Sequence, residues 1–256
     1  MTDYIDDDKL FAQHLDEHKW DCIPDKFVVV DLETTGLTPK TDRIIEIGAI
    51  LFSKDLYLTS GEVKNFQCFI KQENPIPTDS TAIHGITDEM VKDGDTEYSA
   101  LSEFFVFSRG LPVYAYNAKF DRDFITETAK RCGFHDEDFK FKPEDILDTV
   151  DLVFDDLPNR KLETVANRLG YPTGKMHRAL EDCALGLAVL IQCRQRLMIK
   201  QSTILREECL DLKKQTEELK GNENSTRRKG SSDKTLLWVS IGVSVALILA
   251  FAIPKS

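Results

Sequence analysis

Five residues of this 256-residue chain carry groups that could act together on a phosphate ester: Asp31, Glu33, Asp121, His177 and Asp182. Four carboxylates and one imidazole are what two-metal hydrolysis of a phosphodiester requires. Asp31 and Glu33 follow the apolar run Phe27-Val28-Val29-Val30, whose β-branched residues favour a buried strand. Side chains alternate along a strand, so the two carboxylates share one face while Val30 and Leu32 take the other. Like charges that close repel each other unless a cation lies between them. An isolated D-x-E more often marks a strand end dipping into solvent. Here Thr34-Thr35-Gly36-Leu37 follows, and a glycine-containing turn can bring backbone N–H groups to an oxyanion or a sugar hydroxyl.

The other three groups sit at helix starts. Asp121 follows a short strand-like run, Pro112 to Ala115, and opens an amphipathic helix in which Phe120, Phe124 and Ile125 can pack. Asn117 and Asp121, four residues apart, share a face of that helix. A single Asp in a first turn is usually just a partner of the helix dipole. His177 and Asp182 come after Tyr171-Pro172-Thr173-Gly174. Pro172 and Gly174 are expected to end the preceding helix, so His177 leads in from a loop and Asp182 lies about a turn inside the next helix. That places a base candidate five residues before an acidic ligand.

Together these segments resemble the DEDD exonuclease superfamily, in the branch with a histidine in its last motif and the group of proofreading epsilon subunits. The resemblance rests on Asp31-Leu32-Glu33-Thr34-Thr35-Gly36-Leu37, on Asn117 to Asp121, on His177 to Asp182, and on Ala82-Ile83-His84-Gly85-Ile86-Thr87 between the first two. It covers roughly residues 26–195. It implies an α/β fold, a ribonuclease-H-like mixed sheet flanked by helices. It also implies metal-dependent 3′-to-5′ release of nucleoside monophosphates from nucleic acid, single-stranded DNA being favoured. Two ions, Mg²⁺ or Mn²⁺, suit such oxygen ligands. By the resemblance, Asp31 bridges both ions, Glu33 and Asp182 complete the first, and Asp121 serves the second, partly through water. His177 takes the proton of the attacking water, work suited to a side chain that ordinarily titrates near neutrality. Glu33 and the backbone of Thr34 and Thr35 bind the terminal 3′-hydroxyl, Leu37 wedges against the last base, His84 contacts the terminal nucleotide, and Asn117 belongs to the substrate-binding set.

The elements that must position these groups are partly legible. Strand-like runs occur at Phe27 to Leu32, Ile44 to Phe52, Asn65 to Ile70 and Pro112 to Ala115, with another short one near Ile146 to Thr149. Helical patterns occur at Ser99 to Ser108, Asp121 to Cys132, Lys161 to Leu169 and from Ala179 onward. The chain therefore reads as a polar arm (1–24, with a short helix around Lys9 to His18), an exonuclease domain (25–200), a helical extension (201–220), a basic linker (221–235) and an apolar segment (236–253).

A net charge of −11 argues against the broad basic footprint of a duplex binder. An enzyme holding a few terminal nucleotides needs fewer basic contacts, and Lys40, Arg43, Lys119, Arg122, Lys175 and Arg178 lie near the motifs. Six cysteines without C-x-x-C spacing read as reduced thiols. No signal peptide opens the chain. Ile191, Met198, Leu205, Leu212 and Leu219 recur every seventh residue, which suits either a coiled-coil homodimer through 191–219 or an extended charged single helix. The uncharged run Leu236 to Ile253 is long enough to span a bilayer. The basic residues before it, Arg227, Arg228, Lys229 and Lys234, place the nuclease domain on the cytoplasmic side of a single-pass tail anchor. Two further readings stay open: an exoribonuclease of ribonuclease T or oligoribonuclease type, and an inactive nucleic-acid-binding scaffold.

Overall fold

Strand β1 (Lys26–Thr34) grows from the Phe27 to Val30 run and forms the centre of the sheet. The computed structural model describes residues 7–134, 141–171, 173 and 177–227. Strands β2 (Ile44–Ser53), β3 (Lys64–Phe69), β4 (Val113–Ala115) and β5 (Glu144–Asp145) complete a five-stranded sheet in the order β3-β2-β1-β4-β5. β2 pairs antiparallel with both β1 and β3, whereas β1, β4 and β5 run parallel. This is the expected mixed sheet with an antiparallel start.

Nine helices are described: α1 (Asp7–His18), α2 (Lys54–Ser60), α3 (Thr78–His84), α4 (Asp88–Val91), α5 (Glu97–Ser108), α6 (Ala118–Arg131), α7 (Ile146–Val153), α8 (Leu162–Leu169) and α9 (Ala179–Arg227). The alternation along β1 sorts them into layers. Val28, Val30 and Leu32 face Leu101 and Phe104 of α5 and Phe124 and Ile125 of α6. Phe27 and Val29 face Ile146 and Val150 of α7, Val165 and Ala166 of α8, and Cys183, Leu187 and Leu190 of α9. Asp31 and Glu33 continue this second row, so the apolar face beneath α9 ends in two carboxylates. A smaller cluster of Ile45, Ile76, Ile86 and Val91 seats α3 and α4 beside β2.

Four expectations change. The strand looked for at Ile146 to Thr149 is α7, because Asp145 accepts the Leu147 N–H at 2.9 Å as an N-cap and Ile146, Thr149 and Val150 bury one helical face. α8 ends at Gly170, left-handed at φ 84°, before Pro172 and Gly174 are reached. α1 forms, but the arm is not solvated throughout: Trp20 stacks on Phe52 at 6.2 Å and meets Tyr57 at 5.6 Å, and Ile23 is buried. α9 runs through Gly221 to Arg227, into the expected linker, since extending a formed helix needs no new nucleus.

The chain divides into one unit ending at Leu197 and another from Met198. In the second, Leu219 of the heptad row is exposed. Among the described residues no helix is long and apolar enough to cross a membrane, and the expected span at 236–253 lies outside them.

Candidate active site

Three of the five expected residues meet around one point. Carboxylate oxygens of Asp31 and Glu33, from β1, and of Asp182, from the first turn of α9, lie within 4.8 Å of one another. Asp121, 3% exposed in the first turn of α6, stands outside that triple. Its charge nevertheless bears on Asp31 more than any other does, so all four carboxylates converge.

Burial raises every one of them. Burial comes first for Asp31, which is held well above the carboxylate range, and the charges of Asp121, Asp182 and Glu33 add to it. Burial likewise lifts Glu33 to about 8, with Asp182 and Glu46 contributing. Asp121 also reaches about 8, chiefly through burial and then through Asp145. Asp182 is raised by burial as well, partly offset by the His177 backbone N–H, which it accepts at 3.2 Å. Among the described residues, nothing donates to the buried oxygens Asp121 Oδ1 and Asp182 Oδ1. Orphaned buried acceptors cost about 1–3 kcal/mol each. A donor set made only of carboxylate oxygen, with two acceptors unsatisfied, fits hard divalent cations such as Mg²⁺ or Mn²⁺.

His177 is exposed and sits at φ 71°, the one described non-glycine residue with positive φ. Such backbone costs about 1–2 kcal/mol and persists where the surroundings hold it. The hold comes from β2. Gly48 lies opposite Asp31, and a Cβ there would meet the Ala179 carbonyl carbon at 2.4 Å and the Leu180 nitrogen at 2.5 Å. Gly48→Ala is therefore expected to destabilise the protein by about 1–3 kcal/mol or more, read as a lower thermal midpoint, because the obstacle is backbone. A midpoint within a degree of the parent's would show that α9 can shift freely.

The remaining candidates divide. Leu37 is 83% exposed, free to meet a base. Asn117, exposed, is the N-cap of α6 but makes no side-chain cap bond. Thr34 is buried and its hydroxyl donates to the Gly36 carbonyl at 2.6 Å. Thr35 departs from its expected role: its backbone N–H donates to the Arg43 carbonyl at 2.9 Å and its own carbonyl accepts from Ser80, while its Oγ1 accepts the Arg43 N–H. Among the described residues, the hydroxyl proton is the one donor Thr35 has left for a substrate. His84 is 5% exposed rather than displayed, with Nδ1 accepting the Ile86 N–H at 3.0 Å. That bond makes Nε2 the protonated nitrogen, which is buried with the Thr34 backbone beside the ring. The basic residues are mostly engaged: Arg43 with Glu97, Lys119 and Arg122 with Asp123, Arg178 with Glu46. Lys175 lies outside the described residues.

The sequence pattern of the exonuclease family (RNase_T) matches residues 28–190, which takes in every carboxylate of the site and His177. The chain belongs to this exonuclease family. The domain is similar to the PolC-type DNA polymerase III of Caldanaerobacter subterraneus subsp. tengcongensis, 34% identical over 199 residues, which are 74% of this chain and 13% of that protein. It is also similar to the DNA polymerase III subunit epsilon of Treponema pallidum, 32% identical over 158 residues, 61% of this chain and 70% of the relative. In fold it is like the nuclease domain of 3′hExo, a DEDDh family member bound to rAMP, with a TM-score of 0.57 at 19% identity over 67% of this chain and 92% of that one. The chain thus spans only a small part, 13%, of the length of the PolC-type polymerase it matches.

Two residues of the exonuclease domain escaped the sequence reading. Asp145, which raises Asp121, is hidden by its local role as the cap of α7. Glu46 is wholly buried and faces Glu33 across β1 and β2. Its signal was a lone charge inside the apolar run Ile44-Ile45-Glu46-Ile47.

Proposed function

We propose that this chain is a metal-dependent 3′-to-5′ exonuclease that removes nucleoside monophosphates from the 3′ end of single-stranded DNA. The observation that carries this is the meeting of Asp31, Glu33 and Asp182 within 4.8 Å, with buried Asp121 bearing on Asp31 and His177 tied to Asp182. Asp31, Glu33, Asp182 and Asp121 would hold the divalent ions, which when bound would supply an activated water and neutralise charge on the phosphate and the leaving oxygen. His177 removes the proton of the attacking water, and its exposure lets that proton pass to solvent. Leu37 packs against the terminal base. Glu33 accepts the 3′-hydroxyl, which confines cleavage to a chain end. His84, 5% exposed, touches the terminal nucleotide with that exposed edge of its ring.

The polymerase relatives favour DNA, whereas the structural relative bound to rAMP favours the exoribonuclease reading. Matched 5′-labelled DNA and RNA strands decide between them. A Mg²⁺-dependent ladder shortening from the 3′ end, lost in EDTA and in Asp182→Ala, is expected, with DNA the faster substrate. Faster RNA would transfer the assignment to an exoribonuclease. No cleavage with Mg²⁺ or Mn²⁺ by folded protein would remove the nuclease reading.

The uncharged run at 236–253 tethers this domain to a membrane, its basic flank holding the nuclease in the cytoplasm, and the helix around 191–219 pairs two copies. Deleting residues 236–256 is expected to move the protein from the membrane pellet to the soluble fraction with nuclease turnover unchanged. Continued sedimentation of the truncated chain with membranes would refute the tether.

A further inference from the structure

We propose that Glu46 is a positioning residue for His177 and Asp182, acting as a remote N-cap that bolts the start of α9 to the sheet. This rests on the nuclease reading above for the roles of those two groups, although the bolt itself is geometric.

Glu46 is 0% exposed in the middle of an apolar strand, directly opposite Glu33. A lone buried carboxylate facing another is unfavourable unless strongly engaged. The engagement is made mostly by the start of α9, with one donor from β3. Arg178 grips it with two donors, Nη2 to Oε1 at 3.1 Å and Nε to Oε2 at 3.3 Å. The Ala179 backbone N–H donates to Oε2 at 3.2 Å, and Gln67 Nε2 of β3 donates to Oε1 at 2.7 Å. Ala179 is the first residue of α9, where N–H groups lack helical acceptors. Local Ser, Thr, Asn or Asp normally serves that position, but here the acceptor comes from 133 residues away.

The neighbours extend the bolt. The Arg178 guanidinium lies 5.4 Å from the centroid of the Phe69 ring. Two residues past Glu46, the Gly48 carbonyl accepts from Cys183 Sγ at 3.1 Å. The anchored pair, Arg178 and Ala179, follows His177 directly and precedes Asp182 by one helical turn. His177 closes the loop by donating its N–H to Asp182. A two-donor ion pair and a backbone bond on Glu46 therefore fix the strained residue that carries the base and the carboxylate beside it.

The test compares the full chain with Glu46→Gln, His177→Ala and the double variant on 5′-labelled single-stranded DNA. Glu46→Gln is expected to lower kcat about 10²-fold, the scale of a misplacement of about 1 Å, with KM within about threefold. Added to His177→Ala, it is expected to cost clearly less than the roughly 10²-fold it costs alone, because only Asp182 is then left for it to position. Losses that multiply in the double variant, or a Glu46→Gln enzyme as fast as the parent, would overturn the proposal. Arg178→Met, which keeps the stem and removes the fork, replaces Glu46→Gln if that variant unfolds. Should the parent show no nuclease activity, the nuclease reading fails by itself. The His177 imidazole proton resonance, assigned by its absence in His177→Ala, then decides the positioning: it shifts in Glu46→Gln if Glu46 holds the loop, and staying put overturns the proposal.

Discussion

Asp121→Asn is expected to stop nuclease turnover and, in EDTA at pH 8, to melt at a higher temperature than the parent. The two effects share one cause. Asp121 is buried, its Oδ1 has no donor among the described residues, and its carboxyl is pushed up to about 8, by burial first and Asp145 second. In the unfolded chain the same carboxyl ionises near 3.9. Between those values the folded, metal-free protein keeps a proton that the unfolded chain has released. Stability therefore falls as pH rises from about 4 to about 8, the reverse of a salt-bridged carboxylate. Asparagine has no proton to lose, so the variant escapes that decline. Its amide can also donate to the neighbouring carboxylates.

The advantage is expected to shrink toward pH 5 and to vanish below about pH 4, where Asp121 is protonated in both the folded and the unfolded chain. At pH 8 it amounts to about 2–4 °C for each kcal/mol of strain relieved. Saturating Mg²⁺ reverses the order, since ligand at 100 times its Kd stabilises the parent by about 2.7 kcal/mol. Turnover is expected to fall about 10³-fold or more, the loss of several kcal/mol of charge stabilisation. Calorimetry at pH 5 and pH 8, with EDTA or Mg²⁺, reads all of this. A variant that melts below the parent at pH 8 in EDTA would mean that Asp121 is satisfied by the fold itself and holds no ion.

That the protein accepts such instability explains which parts of the site were legible in sequence. The strand alternation that puts Asp31 and Glu33 on one face is a two-residue property, and β1 keeps it. Asp121 and Asp182 were legible because each stands in the first turn of an amphipathic helix, where 3.6-residue periodicity fixes direction. Long-range facts were not. Glu46 went unread because its partner Arg178 lies 132 residues away, and Arg178 accordingly counted only among the basic residues near the motifs. Thr35 looked like a free donor until Arg43 and Ser80 took its backbone groups. His84 looked displayed, yet the packing of Ile76 and Ile86 around α3 leaves it buried. The same limit applies to α7, where β-branched residues suggested a strand and a single capping bond from Asp145 set a helix instead. Motifs reveal which groups take part; the opposing strand decides where they are held.

His177→Gly separates catalysis from folding in the opposite sense to Asp121→Asn. At φ 71° a histidine is strained and a glycine is not. The variant is therefore expected to be at least as stable as the parent, against a modest loss from the greater freedom of glycine when unfolded. Mn²⁺ affinity is expected to stay within about threefold, because the bond to Asp182 uses the backbone N–H, which glycine retains. Turnover is expected to drop about 10²–10⁴-fold, the range for removing a general base, with KM little changed. His177 is exposed, so its cavity opens to solvent, and added imidazole is expected to restore part of the rate in proportion to its unprotonated concentration. His177→Ala, which keeps the strain, is expected to be as slow but less stable than His177→Gly. Full activity in either variant would dismiss His177 as the base. A loss of Mn²⁺ binding that matches the loss of rate would instead make it a prop for Asp182, and imidazole would then rescue nothing.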